Sequence, residues 1–184
     1  MLYTRRGDDG TTKTFGCDQR VSKSSSIAEA LGSLDEINSF LGFVRARAKG
    51  QSFKVASGEI LFSDVVLAVQ KNLFIVQAEV AGSEMNITED KVQDLEHTTD
   101  SIEKVLPPIK SFFISGATET GGMFDFARTL ARRAERRVVG VKEEGSKVSP
   151  HTSQYLNRLS SLLYALARIA THKEGEEEIK PDYR

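Results

Sequence analysis

Apolar residues recur at steps of three and four in five separate stretches of this chain. Each stretch reads as the buried face of an amphipathic helix. The first follows Ser24, Ser25 and Ser26, which offer N-caps. It runs to about Ala48 with Leu31, Leu34, Ile37, Leu41 and Val44 inward. Residues 49–57 are polar and predict a connection. The second stretch, from about Gly58 to Ala81, carries Val, Leu and Phe nearly all round, which predicts a central helix. The third begins at Thr88, sets Val92, Leu95, Ile102, Val105 and Leu106 on one face, and is stopped by Pro107 and Pro108. The fourth, from about Thr118 to Lys142, buries Phe124, Ala127, Ala131, Ala134, Val138 and Val141. The fifth, from about Ser149 to His172, buries Tyr155, Leu159, Leu162, Leu166, Ile169 and Ala170; Asn157, Ser161, Tyr164 and Arg168 form a polar line on another of its faces. Short connections between five such helices predict an all-α, five-helix bundle, one domain over residues 1–184.

The two ends break the helical pattern. In residues 1–24, Gly7, Gly10 and Gly16 stand among Asp, Thr and Ser and forbid a long helix. This arm reads as an irregular loop rich in donors: Thr4, Arg5, Arg6, Thr11, Thr12, Lys13, Thr14 and Lys23. Glycines let backbone N–H groups approach an anion, and hydroxyls and lysines add contacts. The spacing is not a Walker motif, and a frayed terminal arm fits the same residues. The acidic residues 173–184 predict a mobile tail.

Composition narrows the class. With 39% hydrophobic and 28% charged residues among 184, the chain is globular rather than disordered. A net charge of −1 argues against a broad nucleic-acid surface. The lone cysteine, Cys17, forms no intrachain disulfide framework, fits a reducing compartment and is expected to be inert. The apolar runs are too short to span a bilayer and the N-terminus has no apolar targeting segment, so a cytoplasmic location without a membrane partner is expected.

Against that neutral background stands Arg128 to Arg137, RTLARRAERR, inside the fourth helical stretch. At about 100° per residue, Arg128, Arg132 and Arg136 make one row beside the apolar face, and Arg133 and Arg137 a second row further round. Glu135 lies on the flank near Arg128 and Arg132. Guanidinium forks give planar, charge-assisted hydrogen bonds to phosphate or carboxylate, so the face suits a small polyanion. A solvated face with intrahelical ion pairs is the plainer account of the same residues. In the first helix, Asp35 and Asn38 lie one turn apart at the edge of the apolar stripe, where a carboxylate wants a cationic partner. The three histidines, His97, His151 and His172, do not follow a glutamate at the spacing a di-iron bundle needs. A polyanion site without an evident nucleophile points to substrates that supply their own.

Five stretches carry a resemblance. YTRRGDDGTTKTFG is similar to a TRxGDxGxT loop, and RVSK at 20–23 to the lysine motif after it. LGSLDEIN is similar to a G-x-x-DELN helix, RTLARRAERRV to an RxxxRRAERRV signature, and YLNRLSSLLYALAR to an NRLSDxLFxLAR signature. Together and in this order they resemble the PduO-type ATP:cob(I)alamin adenosyltransferases. That resemblance implies a homotrimeric five-helix bundle with ATP between subunits. ATP would meet Thr4, Arg5, Arg6, Gly7, Thr12, Lys13 and Lys23 in the arm, Arg132, Arg133, Glu135 and Arg136 on the fourth helix, and Asn157 on the fifth. Asp35 would pair with Arg128, and Phe112 would close the lower face of a bound cobalamin. The implied reaction is attack of the cob(I)alamin cobalt on the 5′ carbon of ATP, with Mg²⁺ carried mainly by the phosphates and no metal ligands assigned on the protein. A reductase is a further candidate partner. The chain departs from the family at SGATETGG, where a Pro-Gly-Gly loop is usual, and at Ser161, where the signature has aspartate. A non-catalytic ATP-binding regulatory bundle and an interaction scaffold remain as alternatives.

Overall fold

The computed structural model describes residues 3, 5–14 and 20–183. Its elements are β1 (Thr11–Lys13), β2 (Arg20–Ser22), α1 (Ser26–Arg47), β3 (Ser52–Val55), β4 (Gly58–Leu61), α2 (Phe62–Val80), α3 (Glu89–Glu103), α4 (Glu119–Glu143) and α5 (Pro150–Lys173). Five helices dominate, as the periodicity predicts, but the fold also holds two short antiparallel hairpins, β1–β2 and β3–β4.

Both hairpins correct the sequence reading. Thr12 pairs with Val21 in the arm, so the expected irregular loop contains a ladder of β-branched residues. In the second hairpin Phe53 and Val55 are buried while Lys54 between them is exposed, a period of two that overrides the polar look of the segment. Gly58 closes the turn at φ 136°, a conformation that favours glycine. The second helix therefore starts at Phe62 rather than at Gly58.

The helices pack in the order α2, α1, α4, α5, α3. The helix expected to be central, α2, thus lies at one edge. Its apolar character all round reflects an uncovered outer side, where Phe74 is 65% exposed. The middle belongs to α4, whose Ala127, Ala131 and Ala134 have no exposed surface and let α1 and α5 approach closely. Phe53, Phe62 and Phe124 stack in series at 4.8 and 5.5 Å, joining the second hairpin to α2 and α4. At the α4 N-terminus only glycine fits position 121: a Cβ there would meet Thr171 Oγ1 at 2.5 Å and the Ala167 carbonyl at 3.0 Å.

The start of α5 is fixed by a buried carboxylate. Ser149 caps the helix, its hydroxyl accepting from the Thr152 N–H at 3.1 Å. Glu79 of α2 accepts from the Ser149 N–H at 2.5 Å and from the Thr152 hydroxyl. A negative charge at a helix N-terminus meets unsatisfied N–H groups and the positive end of the dipole. Among the described residues no helix is long and apolar enough to cross a membrane.

Glu79→Ala leaves those donors buried without an acceptor, at a cost of about 2–3 kcal/mol. At about 2–4 °C per kcal/mol for a chain of this size, thermal unfolding should start roughly 5–10 °C lower. Glu79→Gln, which keeps one acceptor, should fall between Ala and the parent.

Candidate functional site

A cavity of about 580 Å³ opens between the linker after α3, one flank of α4 and one flank of α5. The polar line read on the fifth helix supplies Ser161, Tyr164 and Arg168; α4 supplies Asp125, Arg128 and Arg132 opposite. The linker adds Phe112 and Phe113. Phe112 is 80% exposed, so its ring stands at the cavity without serving as core. Phe113 lies under the Arg168 guanidinium at 5.5 Å. Burial pushes the Tyr164 hydroxyl above its ordinary range, so it stays protonated.

Arg168 organises one wall. It is 5% exposed, and its fork meets the Glu178 carboxylate at 2.7 and 2.8 Å. The same guanidinium donates to the Pro107 carbonyl at 3.0 Å. The hydrogen bonds that the guanidinium donates to Glu178 hold the Arg168 charge more firmly than usual. The Ile114 N–H donates to the Ile179 carbonyl at 2.8 Å. The tail, expected to be mobile, lies against the linker here through these contacts. Sequence reading missed the role of Glu178, since an acidic run gives no signal that one member finds a buried arginine.

The arginine helix divides as its rows predict, one row bridged to α1 and the other facing α5. On the α1 side Arg133 pairs with Glu36, and Arg137 with Glu29 at 3.6 Å. Arg133, assigned to ATP by resemblance, is thus already engaged in a surface ion pair. On the α5 side Glu135 accepts from Asn157 Nδ2 at 2.9 Å, bringing two expected site residues together. Arg132 and Arg136 are exposed and have no ion pair or hydrogen bond among the described residues.

The expected Asp35–Arg128 pair does not form within the chain. Arg128 Nε donates to Asp125 Oδ1 at 2.5 Å, and its guanidinium lies 5.9 Å from the Tyr164 ring. Asp35 is exposed on α1 and has no ion pair among the described residues. The reason is helical phase: Arg128 is on the α5 flank of α4, whereas Asp35 points away from the core of α1, whose carboxylates that bridge to α4 are Glu29 and Glu36.

The arm is built around a residue the sequence reading passed over. Arg20 donates through Nε to Thr11 Oγ1 at 2.6 Å and through Nη2 to the carbonyls of Arg6 and Thr11. Asp9 accepts from the Thr11 N–H and hydroxyl, which lowers the pKa of its carboxyl. Lys23 Nζ donates to the Gly7 carbonyl at 2.7 Å, closing the loop that carries Arg5, Arg6 and Gly7. Arg5 has φ 61°, a strained conformation for a residue with a side chain. Thr12 and Lys13 sit on β1. Thr4 and Cys17 lie outside the described residues. The arm precedes α1, whose Ser26 hydroxyl meets Glu144 at the far end of α4, and among the described residues no hydrogen bond or ion pair joins Arg132 or Arg136 to the arm. Among the described residues no group of three His, Cys, Asp or Glu is placed to hold a metal ion.

A family model for cobalamin adenosyltransferase matches residues 2–170. The chain belongs to that family. It is 37% identical to the corrinoid adenosyltransferase PduO of Citrobacter freundii over 97% of its own length and 52% of that protein. It therefore spans about half the length of that relative, and 48% of the PduO protein of Salmonella typhimurium. The corrinoid adenosyltransferase of Bacillus subtilis is 33% identical, with 97% of this chain and 91% of that protein aligned. Among solved structures, a phenylalanine-to-alanine variant of a PduO-type ATP:corrinoid adenosyltransferase from Lactobacillus reuteri, complexed with cobalamin and ATP, superposes with a TM-score of 0.88. It is 26% identical and covers 98% of this chain and 99% of that one. An arginine-to-lysine variant of the same type, complexed with ATP, gives a TM-score of 0.84 at 25% identity, with 98% and 100% covered.

Within this adenosyltransferase fold the exposure of Phe112 has a measurable consequence. Truncating a core phenylalanine costs roughly 3–5 kcal/mol, whereas exposed substitutions stay within about 0.5 kcal/mol. Phe112→Ala should match the parent in urea unfolding, and Phe124→Ala, whose ring is fully buried, should not.

Proposed function

We propose that the chain transfers the 5′-deoxyadenosyl group of ATP to the cobalt of a cob(I) corrinoid and releases triphosphate. The observation that carries this reading is the placement of Arg132. It lines the cavity and also belongs, with Arg136, to the part of the arginine helix that has no ion pair or hydrogen bond among the described residues. A triphosphate held on that row puts the nucleoside end of ATP toward the cavity, where Phe112 offers an apolar ring.

The chemistry needs little from the protein as nucleophile. The cobalt lone pair forms the Co–C5′ bond, the C5′–O bond breaks, and triphosphate leaves with that electron pair. Arg132 and Arg136 stabilise the charge that grows on the leaving oxygens. Glu135 and Asn157, already bonded to each other, border the same row and orient the nucleotide. Mg²⁺ enters with the phosphates and neutralises part of their charge. Phe112 fills the space beneath the cobalt and keeps water and an axial base away, which favours the reduced metal. A reductase supplies the electron in a reducing, cytoplasmic compartment.

Among the described residues no hydrogen bond or ion pair joins the arm to Arg132 or Arg136, which is compatible with a homotrimer that binds ATP between copies. Arg5, Arg6, Gly7, Thr12, Lys13 and Lys23 then approach the row from a neighbour. The exposed aromatics Phe43, Phe74 and Phe126 supply apolar surface for such an interface. Asp35 stands on the same outward side and pairs with Arg128 across the contact. Arg128 uses Nε for Asp125 and keeps two NH₂ groups for this second carboxylate.

The deciding assay mixes protein, ATP, Mg²⁺ and chemically reduced cobalamin without oxygen and follows the visible spectrum. Formation of adenosylcobalamin with stoichiometric triphosphate is expected; ATP binding without either product would make the chain a regulatory nucleotide binder instead. Arg132→Lys keeps the charge and loses the fork. Losing a charge-assisted hydrogen bond of roughly 1.5–3 kcal/mol should slow turnover by about one to two decades.

Assembly gives a separate prediction. Light scattering should report three times the chain mass. Asp35→Asn and Arg128→Ala should each weaken the trimer, and the double variant should lose less than the sum of the two. Strict additivity would show that the two residues do not meet.

A further inference from the structure

We propose that Asp125 is a positioning residue: its carboxylate ties the linker that carries Phe112 to the arginine helix, and so sets the depth of the corrin-side cavity. The inference rests on the adenosyltransferase reading for the identity of the ligand, and on geometry alone for the tie. Asp125 is 8% exposed and uses each carboxylate oxygen once. Oδ1 accepts from Arg128 Nε at 2.5 Å, and Oδ2 accepts from the Ser115 hydroxyl. Ser115 lies three residues beyond Phe112, and Gly116 at φ 96° then turns the chain into the Thr118 cap of α4. The other anchors of the linker lead elsewhere. Pro107 is held by Arg168 of α5, and Ile114 by Ile179 of the tail. Among the described residues, Ser115–Asp125 is the hydrogen bond that joins the linker to the side of α4 facing the cavity.

Asp125, Arg128 and Arg132 recur at steps of three and four, and all three line the cavity. A single carboxylate thus fixes the linker on one side and the Arg128 guanidinium, stacked toward Tyr164, on the other. The ring of Phe112 is held at a set height relative to Arg132, one turn beyond Arg128. A linker free of this tie would leave the ring, 80% exposed, without a defined position. A purely structural aspartate would need neither the serine nor the cavity-facing side of the helix.

Two variants test this. Ser115→Ala removes the linker limb at an exposed site, so it cannot act by unfolding the chain. Asp125→Asn keeps the shape and drops the charge. The first measurement is hydrogen exchange of linker peptides spanning Ile114, made without ATP or corrinoid. Loss of a charge-assisted bond should speed opening there by about ten- to a hundredfold in both variants, with the α4 core amides unchanged. Ser115→Thr, which keeps the hydroxyl, should restore slow exchange. The second measurement separates the two substrates: KM for the corrinoid should rise about tenfold while KM for ATP stays within about twofold. Unchanged linker exchange in both variants overturns the tie. Equal losses for ATP and corrinoid overturn its role at the corrin side. If the parent forms no adenosylcobalamin, the functional reading fails, and ligand-free exchange still decides whether Asp125 holds the linker.

Discussion

The packing of α4 between α1 and α5 is the constraint on which the other features depend. Its alanine ridge has no exposed surface, so two helices can close on it from opposite sides. That leaves a narrow outward strip and two polar flanks. The flank toward α1 is met by Glu29 and Glu36 and becomes structural. The flank toward α5 is met by small and hydroxyl-bearing residues such as Ser161, and there the cavity forms. Larger side chains at Ala127, Ala131 or Ala134 would push both neighbours outward and merge the two flanks. Separating structural from available arginines on one helix is therefore a packing outcome before it is an electrostatic one.

How much of this could be read beforehand follows from the kind of signal involved. Helix number, capping and the two arginine rows come from a period of 3.6, which depends on local spacing and survives tertiary context. Thr118 and Ser149 cap where the pattern ends, and their side chains accept from Gly121 and Thr152. The β3–β4 hairpin was hidden because Ile60 and Leu61 extend the apolar pattern of α2 backwards, and four residues of alternation are too few to compete. The edge position of α2 was misread because an all-round apolar helix signals burial without saying in what. Partners at long sequence distance were the least legible: Glu178 for Arg168, Glu79 for the start of α5, and Arg20 for the arm. Each is one charge among many, singled out only by the fold.

The case of Arg128 shows why motif and structure must be weighed together. The resemblance assigns it to Asp35, and the chain gives it Asp125. These assignments do not compete for the same atoms. A guanidinium presents five N–H donors in a plane, and Asp125 takes one of them. The remaining donors need acceptors wherever the group is shielded from water, and near the middle of α1 Asp35 is exposed with no ion pair among the described residues, whereas its neighbour Glu36 is taken by Arg133. An arginine anchored from within the chain loses less rotational freedom when a second carboxylate arrives, because part of its ordering has already been met. In the proposed trimer a cavity wall and a subunit contact would share one side chain, linking the depth of the cavity to assembly through the same helix turn.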